Sequence, residues 1–156
     1  MLEMLFTDFT NNNDTNCISN WMVFLLISVS MSMAQYQFEK LGAWQKSRSL
    51  IKFIYLDTRN FPKSELFGLT NQIRRSSISV ASNLSEGTGR AHAREKTQFY
   101  NTAYASLMEL LNQLIISCDI GFITKDRLNS FYRPQIEQLS LMIHKLANNP
   151  NPRPNT

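Results

Sequence analysis

The side chains best suited to chemistry lie between Gln72 and Lys96, in the stretch QIRRSSISVASNLSEGTGRAHAREK. Basic residues stand on both sides of its Gly-x-Gly turn: Arg74, Arg75, Arg90, Arg94 and Lys96. Guanidinium groups suit bidentate contacts with phosphates, and a tyrosine such as Tyr100 or Tyr104 can stack on bases. The stretch therefore predicts a nucleic-acid-binding surface.

The same arginines allow a second interpretation, in which they lie on solvated helix faces or form salt bridges between subunits. Glu86 and Glu95 are carboxylates close to them in the sequence. Charge alone favours this second interpretation, because charged helix faces are ordinarily solvated. Further positive charge comes from an earlier helical segment, at Lys46, Arg48 and Lys52.

No set of residues in the sequence has the composition of an active site. His92 and Glu95 form a single helical pair, and the Glu-x-x-His pairs of di-iron bundles are missing. His144 stands among apolar residues, as a structural histidine does. Gly87-Thr88-Gly89 lacks the third glycine of a dinucleotide loop, and there is no nucleophile elbow. The sequence thus predicts a non-enzymatic protein without metal, cofactor or small-molecule substrate.

Charge and cysteine content predict one basic, cytoplasmic domain. The 156 residues carry a net charge of +4. Residues 34–149 hold 15 Lys and Arg against 9 Asp and Glu, whereas residues 1–33 hold acidic residues and no basic one. Cys17 and Cys118 form no metal motif and no disulfide framework, as is usual in a reducing compartment. A basic domain favours polyanionic partners.

Residues 1–33 differ in composition from the rest of the chain. A polar, asparagine-rich segment precedes the apolar run Trp21–Met33, which is shorter than the roughly 20 residues of a transmembrane helix. We predict an unstructured extension, the product of a mis-assigned start upstream of Met33; a membrane anchor or signal sequence is the alternative. The bundle domain is expected over residues 34–149, with a disordered Pro- and Asn-rich tail over residues 150–156.

Apolar periodicity predicts four amphipathic helices and no strand. The segments cover residues 43–58, 63–86, 93–118 and a last helix from Thr124 onward. Thr124 is the predicted N-cap, and Ile123 and Leu128 are placed for a hydrophobic staple. Pro134 is expected to kink this last helix. Short connections between such helices predict an all-α, antiparallel up-down four-helix bundle.

The first two segments have predicted core stripes. The first stripe consists of Trp44, Ile51, Ile54, Tyr55 and Thr58. The second consists of Leu66, Leu69, Ile73, Val80 and Leu84. Ser76 and Ser77 lie on the second stripe and allow another helix to approach closely, while Gly87 is expected directly after the helix end. Ile78 lies off the stripe, where a lone bundle does not require an apolar residue.

The third segment is apolar over roughly half of its circumference, wider than the ~100° stripe of an ordinary surface helix. Its core stripe, Phe99, Ala103, Leu107, Leu110 and Leu114, is extended by Tyr104, Met108, Leu111 and Ile115. Such a helix is buried on two sides, either in its own core or against another subunit. The predicted oligomer interface consists of Ile78, Tyr104, Met108 and Ile115.

Three motifs make the chain similar to a known family: Trp44-Gln45-Lys46, Leu69-Thr70-x-Gln72-Ile73-Arg74-Arg75 and Asn83-x-x-Glu86-Gly87-x-Gly89-Arg90. Over residues 38–148 the sequence resembles the four-helix bundle proteins, also called 23S rRNA intervening-sequence proteins. The resemblance implies a bundle that assembles as a ring-like homopentamer, of a family whose genes were first noticed inside insertions in bacterial 23S rRNA genes, with no established catalytic residues. It assigns structural roles to the motif positions Asn83, Glu86, Gly87 and Gly89.

The resemblance also bears on partners. A related branch, the accessory variability determinant of diversity-generating retroelements, is a basic pentamer that works with a reverse transcriptase and its RNA. The resemblance thus implies self-association, with RNA, DNA, a ribonucleoprotein or a reverse transcriptase as the partner. The alternative is a structural or protein-partner scaffold without nucleic-acid binding, in which the arginines form intersubunit salt bridges.

Overall fold

The computed structural model describes residues 35–150, and within that range the chain is helical without a strand. The α helices are α1 (Gly42–Asp57), α2 (Leu69–Thr88), α3 (Ala93–Asp119) and α4 (Arg133–Asn148). Short 3-10 turns cover Gln37–Lys40, Thr58–Asn60 and Lys63–Glu65, and a π-helical segment, Arg127–Tyr132, leads directly into α4. The predictions for residues 1–33 and for the tail beyond Pro150 lie outside the described residues.

The helices form an antiparallel up-down bundle, as predicted. Each helix packs on the next along the chain, and α4 returns to pack on α1. Two hydrogen-bonded pairs, Ser76 with Gln113 and Ser79 with Ser106, show that α2 and α3 are antiparallel. The residue that lies later in α2 pairs with the residue that lies earlier in α3. The bundle therefore has two ends, which we call the Asp57 end and the Gly87 end after a residue at each.

Large aliphatic side chains from all four helices fill the core. Its fully buried members include Ile54, Ile73, Leu84, Leu107, Leu110, Leu114, Leu139 and Ile143. Burial of one such side chain stabilises the fold by about 1.5–3 kcal/mol before the loss of conformational entropy is subtracted. These residues recur every three or four positions, which is why the sequence forms helices that pack together.

The predicted stripe of α1 is partly wrong. Ile54 and Thr58 are buried, but Trp44 and Ile51 are only half-buried and the Tyr55 side chain is 36% exposed. The core-facing positions are instead small or aliphatic: Ala43, Ser47, Leu50, Ile54 and Thr58. Small residues let α1 approach its neighbours closely, so hydrophobicity alone misplaces the centre of its buried face.

The predicted limits of α2 are wrong at both ends. The helix begins at Leu69 rather than Lys63, because Gly68 adopts φ −95° and ψ −120°, outside the helical region. Leu66, predicted as a core residue, is 49% exposed in the connection. At the other end α2 continues through Thr88, so Gly87 lies inside the helix rather than after it. Ser76 and Ser77 are buried, as expected for positions of close helix approach.

The turn between α3 and the last helix is a Schellman motif. Gly121 has φ +82°, and the N–H groups of Gly121 and Phe122 donate to the carbonyls of Cys118 and Ser117. Thr124 then caps the next helical turn by accepting from the Arg127 N–H at 3.1 Å, which confirms the predicted N-cap. The π-helical segment stands immediately before Pro134, whose missing N–H removes one bond of the α-helical ladder.

Candidate nucleic-acid interface

The predicted basic residues fall into two groups rather than one. Arg74 and Arg75 lie in the half of α2 nearer the Asp57 end, whereas Arg90, Arg94 and Lys96 surround the α2–α3 turn at the Gly87 end. At 1.5 Å per helical residue, roughly 20 Å of α2 separates Arg75 from the turn. The two groups must therefore be considered as separate surfaces.

Arg74 is committed to contacts within its own chain. Its Nε donates to Thr58 Oγ1 at 2.9 Å, and its guanidinium lies 4.7 Å from the centroid of the Tyr55 ring. Thr58 Oγ1 in turn donates to the Ile54 carbonyl. Arg74 thus ties α2 to the C-terminal end of α1 and leaves part of its charge at the surface.

Arg75 is the exposed neighbour of Arg74 in the sequence of α2, and the outer face of α1 carries further cations. Lys52 and Arg59 line the same surface cleft as Tyr55, the ring beneath Arg74. Arg48, about one turn before Lys52, lies over the Trp44 ring at 5.6 Å. We call this set the α1–α2 flank: Arg48, Lys52, Arg59, Arg74 and Arg75. Within residues 35–150, no hydrogen bond or ion pair engages Lys52, Arg59 or Arg75.

Acidic side chains are rare in this half of the bundle. The sequence has no Asp or Glu from residue 41 to 56 or from residue 66 to 85. Residues 41–92 hold 8 Lys and Arg against 3 Asp and Glu, whereas residues 93–150 hold 6 against 5. The first helical hairpin therefore carries nearly all of the net positive charge of the bundle, and its field attracts polyanions.

The turn group at the Gly87 end is partly neutralised. Arg90 lies 3.6 Å from the Glu86 carboxylate, an exposed i,i+4 pair, and its guanidinium lies over the Phe99 ring at 4.6 Å. Arg94 is exposed and lines a broad depression of about 490 Å³ with Gln98 and Asn101. Lys96 is half-buried. This group offers less uncommitted charge than the flank.

The predicted structural motif organises the contact between α2 and α3. Asn83 Nδ2 donates to the Ser79 carbonyl at 2.8 Å, and the Ser79 hydroxyl meets the Ser106 hydroxyl at 2.9 Å. Gly87 is buried against α3, where a Cβ atom would lie 2.7 Å from Tyr100 Cε1. Glu86 pairs with Arg90, and Gly89 ends the helix.

The predicted oligomer residues have different surroundings. Tyr104, Met108 and Ile115 are half-buried and pack against the core of their own chain. The Tyr104 ring lies 4.4 Å from the His144 ring. Ile78 is 43% exposed on α2. Burial in the chain's own core thus accounts for much of the wide apolar face of α3, and self-association stays a prediction.

Sequence reasoning missed a polar network at the Asp57 end. Arg127 Nε donates to Asp57 Oδ2 at 2.7 Å, and the Tyr132 hydroxyl donates to the same oxygen at 2.6 Å. The Arg127 guanidinium also lies 3.9 Å from the Phe131 ring centroid. Arg127 and Tyr132 lie 70 and 75 positions after Asp57 in the sequence, so no local sequence motif predicts the network.

Burial and charge shift the pKa values of two members of this network. Burial, reinforced by the hydrogen bond to Asp57, raises the pKa of the Tyr132 phenol far above its ordinary value. The hydrogen bond from Arg127 to Asp57 raises the pKa of the guanidinium. Tyr132 is therefore neutral and Arg127 charged at physiological pH, and the network joins α1 to the start of the last helix.

Neither a metal site nor a membrane-spanning helix is found in the part of the chain that the structure describes. Residues 35–150 contain no cluster of three His, Cys, Asp or Glu side chains suited to a metal ion. In the same range, no helix has the length and hydropathy needed to cross a membrane. The guanidinium and ammonium groups of the α1–α2 flank have the chemistry for electrostatic and hydrogen-bonded contacts with anionic groups.

Comparison with known proteins agrees with the bundle and its motifs. No curated protein matches the chain. The family model for 23S rRNA-intervening sequence proteins matches residues 39–145, well over half of the sequence. This match spans the three motifs, the first three helices and most of α4, and it confirms the resemblance drawn from the sequence. The chain belongs to the 23S rRNA-intervening sequence protein family.

Proposed function

We propose that this protein is a non-enzymatic, homo-oligomeric bundle that binds nucleic acid through the α1–α2 flank. The proposal rests on three cations of the flank, Lys52, Arg59 and Arg75, for which residues 35–150 offer no hydrogen-bond or ion-pair partner. Cations that the fold does not use, on a hairpin almost without carboxylates, are suited to phosphates.

The geometry of the flank agrees with backbone recognition rather than with catalysis. Arg74 is fixed by Thr58 and Tyr55, so its position beside Arg75 costs little additional ordering on binding. Arg48 is similarly placed over Trp44. Guanidinium and ammonium groups arranged along two helices contact successive phosphates without reading base edges.

Self-association is part of the proposal because it multiplies the charged surface. Several copies of one flank bind a polyanion far more tightly than one copy does, since the second contact is intramolecular. The exposed Ile78 lies one turn from Arg74 on α2, which makes the border of the flank a candidate contact between copies.

Charge reversal on the flank tests this function. We expect the variant Lys52→Glu/Arg59→Glu/Arg75→Glu to bind structured RNA and DNA about a hundredfold more weakly at low salt, because three phosphate contacts become repulsive. Fluorescence anisotropy across a salt series measures both the affinity and its slope. The slope of log K against log salt should fall by about two to three units.

A matched triple variant on the second hairpin distinguishes the effect of the flank surface on affinity from the effect of the net charge. Lys125→Glu/Arg133→Glu/Lys145→Glu alters the formal charge by the same amount and should retain most of the affinity. A third variant, Arg90→Glu/Arg94→Glu, measures the turn group, for which we expect a smaller loss. Equal losses in the two triple variants would mean that only net charge matters and that the flank is not the binding surface.

The protein-scaffold alternative makes the opposite prediction for the parent protein. If the arginines form intersubunit bridges, then Arg75→Ala lowers the native mass while the parent protein binds no nucleic acid. Native mass spectrometry, with and without co-purified nucleic acid, distinguishes the two. A monomer at micromolar concentration would contradict both the proposed assembly and the scaffold.

A further inference from the structure

The cleft beside Tyr55 offers more than charge. Ile51, Lys52, Tyr55, Leu56 and Arg59 line a shallow cleft of about 430 Å³ on the outer face of α1. A volume of this order is typical of sites that hold a small organic group. Three of the five lining side chains are aliphatic or aromatic, and the other two are cations.

The apolar side chains of the cleft are open to solvent. The Tyr55 side chain is 36% exposed and that of Leu56 is 49% exposed. Lys52 and Arg59 are seven residues apart, roughly 10 Å along α1 and the 3-10 turn that follows it, so the apolar surface lies between two positive charges. A ligand that fits this arrangement has a flat apolar face and an anionic group on either side.

The Tyr55 ring is held in place before any ligand arrives. The Arg74 guanidinium lies over the ring at 4.7 Å, and Thr58 Oγ1 fixes Arg74 at 2.9 Å. An aromatic ring supported in this way loses little freedom when a second flat group stacks on it. Tyr55 also lines the cleft.

We infer that the cleft binds an unpaired nucleobase, which packs against Tyr55 and Leu56 while Lys52 and Arg59 contact the phosphates that flank it. This inference rests on the proposed function and narrows its ligand to single-stranded nucleic acid or unpaired loops. In a duplex, each base face is covered by its stacked neighbours, so the apolar surface of the cleft has no partner there. Unpaired bases expose both faces and stack on aromatic side chains irrespective of sequence.

Three oligonucleotides of equal length test the inference by anisotropy: a single strand of mixed sequence, its blunt duplex, and a strand with abasic sites throughout. We expect the single strand to bind about tenfold more tightly than either of the others. Tyr55→Ala should weaken binding of the single strand roughly five- to a hundredfold and weaken duplex binding far less, through the looser hold on Arg74 alone. Tyr55→Phe keeps the ring and should keep the affinity.

Two further variants control for a loss of stability and for the removal of an exposed aromatic ring outside the cleft. Tyr55→Leu preserves apolar packing under Arg74 but not stacking, so it should lose affinity while thermal unfolding followed by circular dichroism stays unchanged. Phe67→Ala removes an aromatic side chain that is 88% exposed outside the flank, and it should bind as the parent protein does.

The possible outcomes separate this inference from the proposed function. If the abasic strand binds as tightly as the normal strand, or if Tyr55→Ala and Tyr55→Leu cost nothing while the triple charge reversal abolishes binding, then the inference is wrong and the proposed function stands. If no oligonucleotide binds, or if polyglutamate or phosphatidylserine vesicles bind as tightly as the single strand, then both are wrong.

Discussion

The two helical hairpins of this bundle divide its physical tasks unequally. The second hairpin, α3–α4, supplies most of the large core side chains, among them Leu107, Leu110, Leu114 and Ile143. The first, α1–α2, buries many small residues such as Ala43, Ser47 and Ser76, yet it carries 8 Lys and Arg against 3 Asp and Glu. One hairpin therefore acts mainly as scaffold, and the other presents the charged surface.

Individual cations of the bundle also differ in how they are used. Arg127, which precedes α4, forms an ion pair with Asp57 and stacks on the Phe131 ring. Its charge therefore stabilises the contact between the two hairpins. Lys52 and Arg75 have no such partner within residues 35–150. A basic residue is therefore a candidate for ligand binding only where its charge is not already used in a contact within the chain.

Loss of Asp57 should have the largest effect of the changes that test this division. Asp57→Ala leaves Arg127 and the Tyr132 hydroxyl without their acceptor, and we expect it to lower the free energy of unfolding by about 2–3 kcal/mol. Urea denaturation measures the change. Lys52→Ala, on the flank, should cost less than about 0.5 kcal/mol. Equal costs would mean that the structural and uncommitted classes do not differ.

The turn that joins the hairpins contains two glycines with different requirements. A Cβ at Gly87 would lie 2.7 Å from the Tyr100 ring, whereas at Gly89 its nearest neighbour is a carbonyl oxygen at 3.5 Å, in a backbone with φ −79°. Gly87→Ala should therefore destabilise the protein by about 1–3 kcal/mol through overpacking. Gly89→Ala, its control, should be neutral or slightly stabilising. A neutral Gly87→Ala would show that the ring moves aside easily.

Much of the bundle could be predicted from the sequence because its periodicity is strong. Ile73, Val80 and Leu84 in α2, like Leu107, Leu110 and Leu114 in α3, recur at helical spacing and are all buried. The limits of α2 were missed because Gly68 and Gly87 have roles set by three-dimensional context. Gly68 leaves the helical region, and Gly87 faces a ring from the next helix.

The candidate site was less predictable, because exposure and pairing are tertiary properties. The sequence identifies Arg74 and Arg75 as neighbours but gives no sign that Thr58 and Tyr55 hold only Arg74. Arg59 has no sequence signal of a binding role, because it follows α1 in a connection and does not stand in a basic run. Only the three-dimensional structure shows that Arg59 lines the cleft beside Tyr55.

Tyr132 gives the junction between the hairpins a pH dependence. Its folded-state pKa is raised by burial, while the unfolded phenol ionises near pH 10. Below about pH 10 both states are protonated and stability does not depend on this group. Above it the unfolded state loses its proton first, so stability falls as pH rises, by up to about 1.4 kcal/mol per pH unit.

Tyr132→Phe should isolate that contribution. At neutral pH we expect a cost of about 1–2 kcal/mol for the lost hydrogen bond to Asp57. In the difference between variant and parent protein, this cost should shrink above pH 10, since phenylalanine has no proton to lose. Urea unfolding at several alkaline pH values measures it, and a difference that does not change with pH would contradict the buried, neutral phenol.

Two buried threonines of the first hairpin should respond to the same substitution with opposite signs. Thr70 Oγ1 is buried without a hydrogen-bond partner among residues 35–150, so Thr70→Val should raise the free energy of unfolding by about 1 kcal/mol. Thr58 Oγ1 donates to Ile54 and accepts from Arg74, so Thr58→Val should lower it by about as much. Thermal and urea unfolding of both variants measure the pair. If Thr58→Val costs nothing, the contact with Arg74 is not structural. Arg74 then belongs with Lys52, Arg59 and Arg75, and the α1–α2 flank offers four uncommitted cations to its ligand.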